Sequence, residues 1–357
     1  MPESSYVKRR RWISSTLGVT LIAIGSLGAG GAAGQDVTLE AGEPSVEMGG
    51  GDAEAQPLAR GTAGEPRPAE INLELRGLDG SKVKVNDKVG IAGRLRPFKP
   101  GQTVKILLLR DGNVVERATK NLRRVQGSNA GRFRMITGHL IKPGRYVARA
   151  IHQPSPELRH AQESTGVFRI RYPDVGSGTS NNIIDVFHEL MGKQGYRNAP
   201  SGGTFNDASR RAVHAFRKAN GMATTWSASS DIFKKLADGK GAYKLRYPGA
   251  GRHVEVYLSR QVMVLADGGK PQYTYHVSTG APSTPTIRGH YRFYSKQPGY
   301  NSVGMYYSVY FKGGYATHGY HSVPDYNASH GCVRNPIPDS RFIYNWIHLG
   351  DSIYVYD

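Results

Sequence analysis

The sequence predicts a multidomain, mainly β protein in which a small three-helix bundle sits between a β-sandwich and a mainly β C-terminal domain. Three observations predict it. At 357 residues the chain exceeds the roughly 100 to 200 residues of an ordinary domain, so two or three folded units are expected. Its 45 Gly, 20 Pro and 21 Tyr favour turn-rich β structure over helices. The hydrophobic period also changes from 2 to about 3.6 between residues 181 and 236, while strand-like text lies on either side.

In chain order, Lys8-Arg9-Arg10-Arg11 precede the uncharged, small-residue-rich stretch Ile13 to Ala33. A basic flank before an apolar run marks residues 1–34 as a signal peptide, with Gly31-Ala32-Ala33 supplying small side chains for cleavage, or as an uncleaved membrane anchor. Residues 35–69 are rich in Gly, Ala, Glu and Pro without periodicity, the composition of a disordered linker. The formal charge of +19 sits on the rest, because this linker is acidic. Such a balance favours polyanions, including acidic wall polymers and anionic lipid. Export removes nucleic acid as the usual partner and places the chain outside the cytoplasm. It also makes the single cysteine, Cys332, notable: no intramolecular disulfide can form, and an unpaired thiol in an oxidising compartment points to chemistry.

Residues 70–173 carry short alternating runs such as Lys82 to Val85, Val104 to Leu109 and Arg145 to Ala150, with turn signals at Pro100-Gly101, Asp111-Gly112 and Pro143-Gly144. That spacing predicts a β-sandwich, and the pattern resembles bacterial immunoglobulin-like modules, which implies an Ig-like spacer. Residues 180–247 predict helices: Ile184, Phe187, His188 and Leu190 share one face, Asp207 opens a second helix with Ala212, Val213, Ala215 and Phe216, and Ile232, Phe233 and Leu236 mark a third. The text from Leu190 to Tyr196, Gly203 to Asn206 and Arg211 to Arg217 resembles the three-helix peptidoglycan-binding domain, which implies a glycan-binding role. It departs from that pattern at Arg217, where Gln is usual, and at Thr225-Trp226, where Thr-Gly is usual.

Residues 251–357 return to strands. Val254 to Leu258, Gln261 to Leu265 and Tyr273 to Val277 form a predicted meander turning at Asp267-Gly268-Gly269. Strands at Tyr291 to Tyr294, Tyr306 to Phe311 and Ser352 to Tyr356 follow, with a helix over Ser340 to His348 N-capped by Asp339. Within this text stands Ala316-Thr317-His318-Gly319, and eleven residues after His318 comes Ser329-His330-Gly331-Cys332-Val333-Arg334. A nucleophilic thiol needs a base or a cationic neighbour, for which His318 and His330 are the candidates. A glycine beside it lets substrate approach and frees backbone N–H groups. His318, His321, His330 and Cys332 are also zinc-ligand types, but no Cys-x-x-Cys or His-Glu-x-x-His pattern accompanies them, so no metal and no other cofactor is expected.

These residues resemble the signature of the L,D-transpeptidase catalytic domain from Val254 to Asp357, with Ser278-Thr279-Gly280, the Thr286 to Gly289 turn and Met305 to Phe311 in support. Ile287 replaces the usual Pro, and the interval between the two motifs is short. The resemblance implies that Cys332 is the nucleophile and His318 its base, oriented by the Gly319 carbonyl. His330, Ser329 and Arg334 support the site, and the N–H groups of Cys332 and Gly331 form the oxyanion hole. The resemblance also implies that Tyr306 and Met305 line the substrate channel, although aromatic residues at strand spacing are more often core. The implied partners are peptidoglycan stem peptides and glycan, with carbapenem-type compounds as inhibitors. The implied product is a 3→3 cross-link made with loss of D-Ala in the cell wall. An L,D-carboxypeptidase using water as acceptor and a non-catalytic wall-binding protein are the alternatives.

Overall fold

The computed structural model describes residues 65–196 and 202–357. The expected signal or anchor segment and most of the 35–69 linker lie outside the described residues. Among those described, no helix is long and apolar enough to cross a membrane.

The N-terminal strands are β1 Glu70–Arg76, β2 Lys82–Lys84, β3 Gly90–Arg96, β4 Thr103–Arg110, β5 Asn113–Asn121, β6 Arg123–Arg124, β7 Gly131–Ile136, β8 Tyr146–His152, β9 Ala161–Ser164 and β10 Arg169–Arg171. They make two antiparallel four-stranded sheets, ordered β1-β3-β7-β6 and β5-β4-β8-β9, while β10 pairs with β2 in parallel. Period-2 alternation drives this. Phe133 and Met135 of β7 point inward between exposed Arg132 and Arg134, and Ile91, Leu95, Ile106 and Leu108 have at most 1% exposure, each such side chain contributing about 1.5–3 kcal/mol of burial. At the β4–β5 hairpin, Asp111 and Gly112 take φ of 50° and 85°, the paired left-handed geometry that the Asp-Gly text suits.

Three helices follow: α1 Asn182–Lys193, α2 Asp207–Ala219 and α3 Ser230–Ala237. Asn206 and Ser209 close a reciprocal capping box at the start of α2. Ile184, Phe187, Leu190, Val213, Phe216, Ile232, Phe233 and Leu236 are buried, and they join the buried strand residues in one continuous cluster. Tyr172 packs its ring on Phe233 at 5.7 Å, and Val175 and Ala228 exchange backbone hydrogen bonds. The two departures from the helical-domain pattern have internal work here. Arg217 donates to the Ser227 and Ala223 carbonyls, and Trp226 stacks on His214 at 4.1 Å.

The C-terminal strands are β11 His253–Tyr257, β12 Val262–Asp267, β13 Lys270–His276, β14 Gly289–Arg292, β15 Ser295–Tyr300, β16 Tyr306–Lys312, β17 Tyr315–Tyr320, β18 Val333–Pro336 and, after α4 Ile337–Trp346, β19 Ser352–Tyr356. They form sheets ordered β13-β12-β11-β19-β14 and β15-β16-β17-β18, and a second buried cluster, with Val254, Leu265, Val309, Phe311, Val333 and Ile343 among its members, fills this part of the fold. The last helix differs from expectation. It begins at Ile337 with Pro336 as N-cap rather than after Asp339, because Pro338 suits a first turn where no N–H partner is needed. Asp339 is spent elsewhere: its carboxylate receives both Nε (2.8 Å) and Nη2 (3.3 Å) of Arg211 on α2.

Candidate active site

The site grows from two adjacent parallel strands. β17 and β18 pair Thr317 with Val333, His318 with Arg334 and Gly319 with Asn335. Thr317 and Val333 enter the core. Alternation therefore sends His318 and Arg334 to the opposite face, and Cys332, one residue before β18, points the same way. This pairing brings together two motifs that lie apart in sequence.

The His318 Nδ1 lies 2.9 Å from the Gly319 carbonyl. A carbonyl only accepts, so Nδ1 carries the proton and Nε2 keeps its lone pair. Burial, with a further push from the Arg334 charge, lowers the His318 pKa to about 4 against the opposing pull of that carbonyl. The imidazole is therefore neutral at neutral pH. Gly319 also gives α4 its seat, since a Cβ there would lie 2.1 Å from Ser340 Oγ. Ser340 Oγ donates to Asn335 Oδ1 at 2.6 Å, and Asn335 Nδ2 donates to Thr317 Oγ1 at 3.1 Å. This polar stack ties β17, β18 and α4 together beneath the histidine.

Cys332 is partly buried, with Sγ 3.6 Å from the Gly314 carbonyl. Burial pushes its thiol pKa up, opposed by a backbone hydrogen bond from Ala316 and by the Arg334 charge. Desolvation thus outweighs the cation, and the resting pair is a neutral thiol and a neutral imidazole.

The cysteine loop is held rigidly. Ser329 Oγ donates to the Cys332 carbonyl at 2.5 Å and accepts from Gly331 N–H at 3.1 Å. Gly331 N–H is therefore consumed inside the loop, which corrects its expected place in the oxyanion hole. Cys332 N–H has no backbone acceptor among the described residues. Gly331 has φ of +112°, and a Cβ there would stand 2.6 Å from Tyr315 Cε1, so only glycine fits. Thr286 Oγ1 bridges Gly280 N–H and the Gly331 carbonyl at 2.8 Å each, and Thr284 Oγ1 donates to the Ser329 carbonyl.

Arg334 lays its guanidinium 4.2 Å over the Tyr320 ring, whose edge meets His318 at 5.7 Å. Tyr306 pairs with Gly319 and is partly exposed, as is Met305; both lie at the edge of the histidine strand. His330 is exposed, whereas His318 is buried. Among the described residues no three His, Cys, Asp or Glu side chains are grouped to hold a metal ion. Sequence reasoning missed Thr284, Asn335 and Ser340, whose only signal is a small polar side chain; Thr286 had been noted only as the start of a turn.

Residues 251–355 match the YkuD family, the L,D-transpeptidase catalytic domain. No curated protein sequence matches the chain. Among solved structures, an L,D-transpeptidase from Xylanimonas cellulosilytica is 26% identical, with 52% of this chain and 98% of that one covered at a TM-score of 0.47. One from Stackebrandtia nassauensis is 19% identical, with 52% and 97% covered and a TM-score of 0.32. A third, from Mycobacterium tuberculosis, is 21% identical, with 30% and 58% covered and a TM-score of 0.28.

Proposed function

We propose that the protein is an extracytoplasmic peptidoglycan L,D-transpeptidase that forms 3→3 cross-links through a thioester on Cys332. The observation that carries the reading is the His318 imidazole, neutral and fixed in one tautomer by the Gly319 carbonyl, on the strand beside Cys332.

With both partners neutral at rest, the proton moves as the bond forms. Sγ of Cys332 attacks the L-centre carbonyl of the stem's diamino acid while His318 Nε2 takes the thiol proton. The Cys332 N–H holds the developing oxyanion. Collapse of the tetrahedral adduct gives the thioester; His318 returns its proton to the departing D-Ala amine. An amine of a second stem then attacks the thioester, His318 takes its proton, and the thiol leaves with that proton. Arg334 favours the thiolate as charge develops on sulfur, and Tyr306 and Met305 border the incoming stem. Ser329 and Thr286 are positioning residues that hold the cysteine loop. The N-terminal segment would deliver the enzyme to the wall.

The test is incubation of the protein with disaccharide-tetrapeptide, with Cys332→Ala in parallel and products followed by mass spectrometry. Dimers short of one D-Ala per cross-link, absent with the variant, are the expected result, together with acylation of Cys332 by a carbapenem. Tripeptide alone would replace transpeptidation by carboxypeptidation. Untouched substrate and an unacylated thiol would sink the enzymatic reading.

A further inference from the structure

A strongly basic cleft lies on the outer face of the β1-β3-β7-β6 sheet, far in sequence from Cys332. An open cleft of about 1020 Å³ there is lined by Arg94, Arg96, Lys120, Arg123, Arg132 and Arg134, with Glu74 and Arg76 at one side. Strand register sets three of these in a row. Arg94 is the direct cross-strand partner of Arg132, and Arg132 that of Arg123; all three are exposed.

Like charges placed directly opposite one another destabilise a sheet, so this arrangement works against folding. Nothing within the described residues relieves it. Glu74 is the nearest acid along the cleft and is paired with Arg76, and none of the six cations Arg94, Arg96, Lys120, Arg123, Arg132 and Arg134 is in an ion pair among the described residues. Partners are supplied for cations elsewhere, as in Arg211–Asp339 and Arg171–Asp79. Neighbouring strands stand about 4.8 Å apart, so the row offers a guanidinium roughly every 5 Å across the sheet. Each fork can take a phosphate oxygen pair.

We infer that this cleft binds a linear phosphate-linked polymer, with successive anionic repeats along the Arg94–Arg132–Arg123 row. The lining disfavours single-stranded nucleic acid and membrane surfaces by what it lacks. Its one aromatic side chain, Phe133, is 4% exposed, which leaves no stacking platform for bases. Its other apolar members, Leu73 and Ala92, lie partly or wholly buried, which leaves nothing to insert into a membrane. The inference is independent of the reaction proposed for Cys332.

The experiment titrates the full chain with inorganic polyphosphate at several salt concentrations. The Arg94→Gln/Arg123→Gln/Arg132→Gln triple should bind at least about 30-fold more weakly, with the salt slope reduced by about 2 to 3. A control removing the same charge on β2 and β10, Lys82→Gln/Lys84→Gln/Arg169→Gln, should stay within about 3-fold of the parent. Thermal unfolding checks that the first triple is folded; relief of like-charge contacts should leave its Tm unchanged or higher. Equal loss in both triples, or no loss in the first, overturns the site. Tighter binding to polygalacturonate, a single-stranded oligonucleotide or anionic phosphatidylglycerol vesicles overturns the choice of phosphate polymer.

Discussion

The seam between α2 and the catalytic domain and the outer face of the N-terminal sheet are both rich in cations, and they handle them in opposite ways. At the seam every charge has work inside the protein. Arg211 grips Asp339, Lys218 is 5% exposed and reaches the Val277 carbonyl at 3.4 Å, and His214 contacts Asp325 in the loop between the two catalytic motifs. Burial lowers the Lys218 pKa to about 8. On the sheet face Arg94, Arg123, Arg132 and Arg134 are exposed and, among the described residues, in no ion pair. Buried charge without a partner costs several kcal/mol, whereas exposed charge costs little. The seam therefore reports on how the fold is held, and the sheet face on what lies outside it.

The sharpest contrast is between chemistry and scaffold. Cys332→Ala should lower transpeptidation at least about a thousandfold, and His318→Asn should do nearly the same because the two act as a unit. Neither change touches the seam, so both variants should keep the parental unfolding profile. A joint loss of fold and activity would show that the pair is structural.

At the seam itself, Asp339→Asn leaves Arg211 facing a neutral amide while 19% exposed. Breaking one side of a buried pair costs about 3–5 kcal/mol, and denaturant unfolding measures it. Arg211→Met/Asp339→Leu removes both charges and should recover much of that loss. If Asp339→Asn is silent, the seam is not a buried ion pair in energetic terms.

Sequence periodicity located these elements better than it located their partners. Strand text at Tyr306 to Phe311 and helix text at Ile184 to Leu190 carry their own period, which is local. The parallel pairing of β17 with β18 is not local: it is set by packing across 316–334 and by the Ser340–Asn335–Thr317 stack, which no alternation encodes. Glu255 illustrates the same limit. Alternation on β11 puts it with His253 on a face that ought to be wet, yet both are fully buried, because residues 246 and 247 cover that face and donate their N–H groups to the carboxylate. Of the site, Cys332 and His318 stood out through motif chemistry, while the Gly319 carbonyl beside His318 Nδ1 was implied only by the family resemblance. The loss of Gly331 N–H to Ser329 and the raised thiol pKa were not, since each depends on burial and on a neighbour's rotamer.

The histidines sharpen the comparison through pH. Burial holds His318 at about 4 and lowers His188, His214 and His276 as well. A free histidine titrates near 6.5, so below that pH the unfolded chain binds protons that the folded chain refuses. The stability these groups contribute is complete above about 6.5 and is lost as pH falls toward 4. His253, raised by its bonds to Glu255 and Gly251 against the opposing effect of burial, pulls weakly the other way. Denaturant melts from pH 7 to pH 5 should show falling stability, while the initial rate of Cys332 acylation, corrected for folded fraction, should hold because His318 is still mostly neutral. An activity limb near 6.5 would mean that the imidazole is wet.

The smallest effect belongs to the sheet face. Arg134 is exposed between buried Phe133 and Met135, and its cross-strand partner is Ala92. Arg134→Gln should move Tm by less than about 2 °C, where Asp339→Asn is large. A much larger drop would mean that the arginine stem packs on the sheet and serves the fold after all, and the division between inward and outward charge would then fail at that residue.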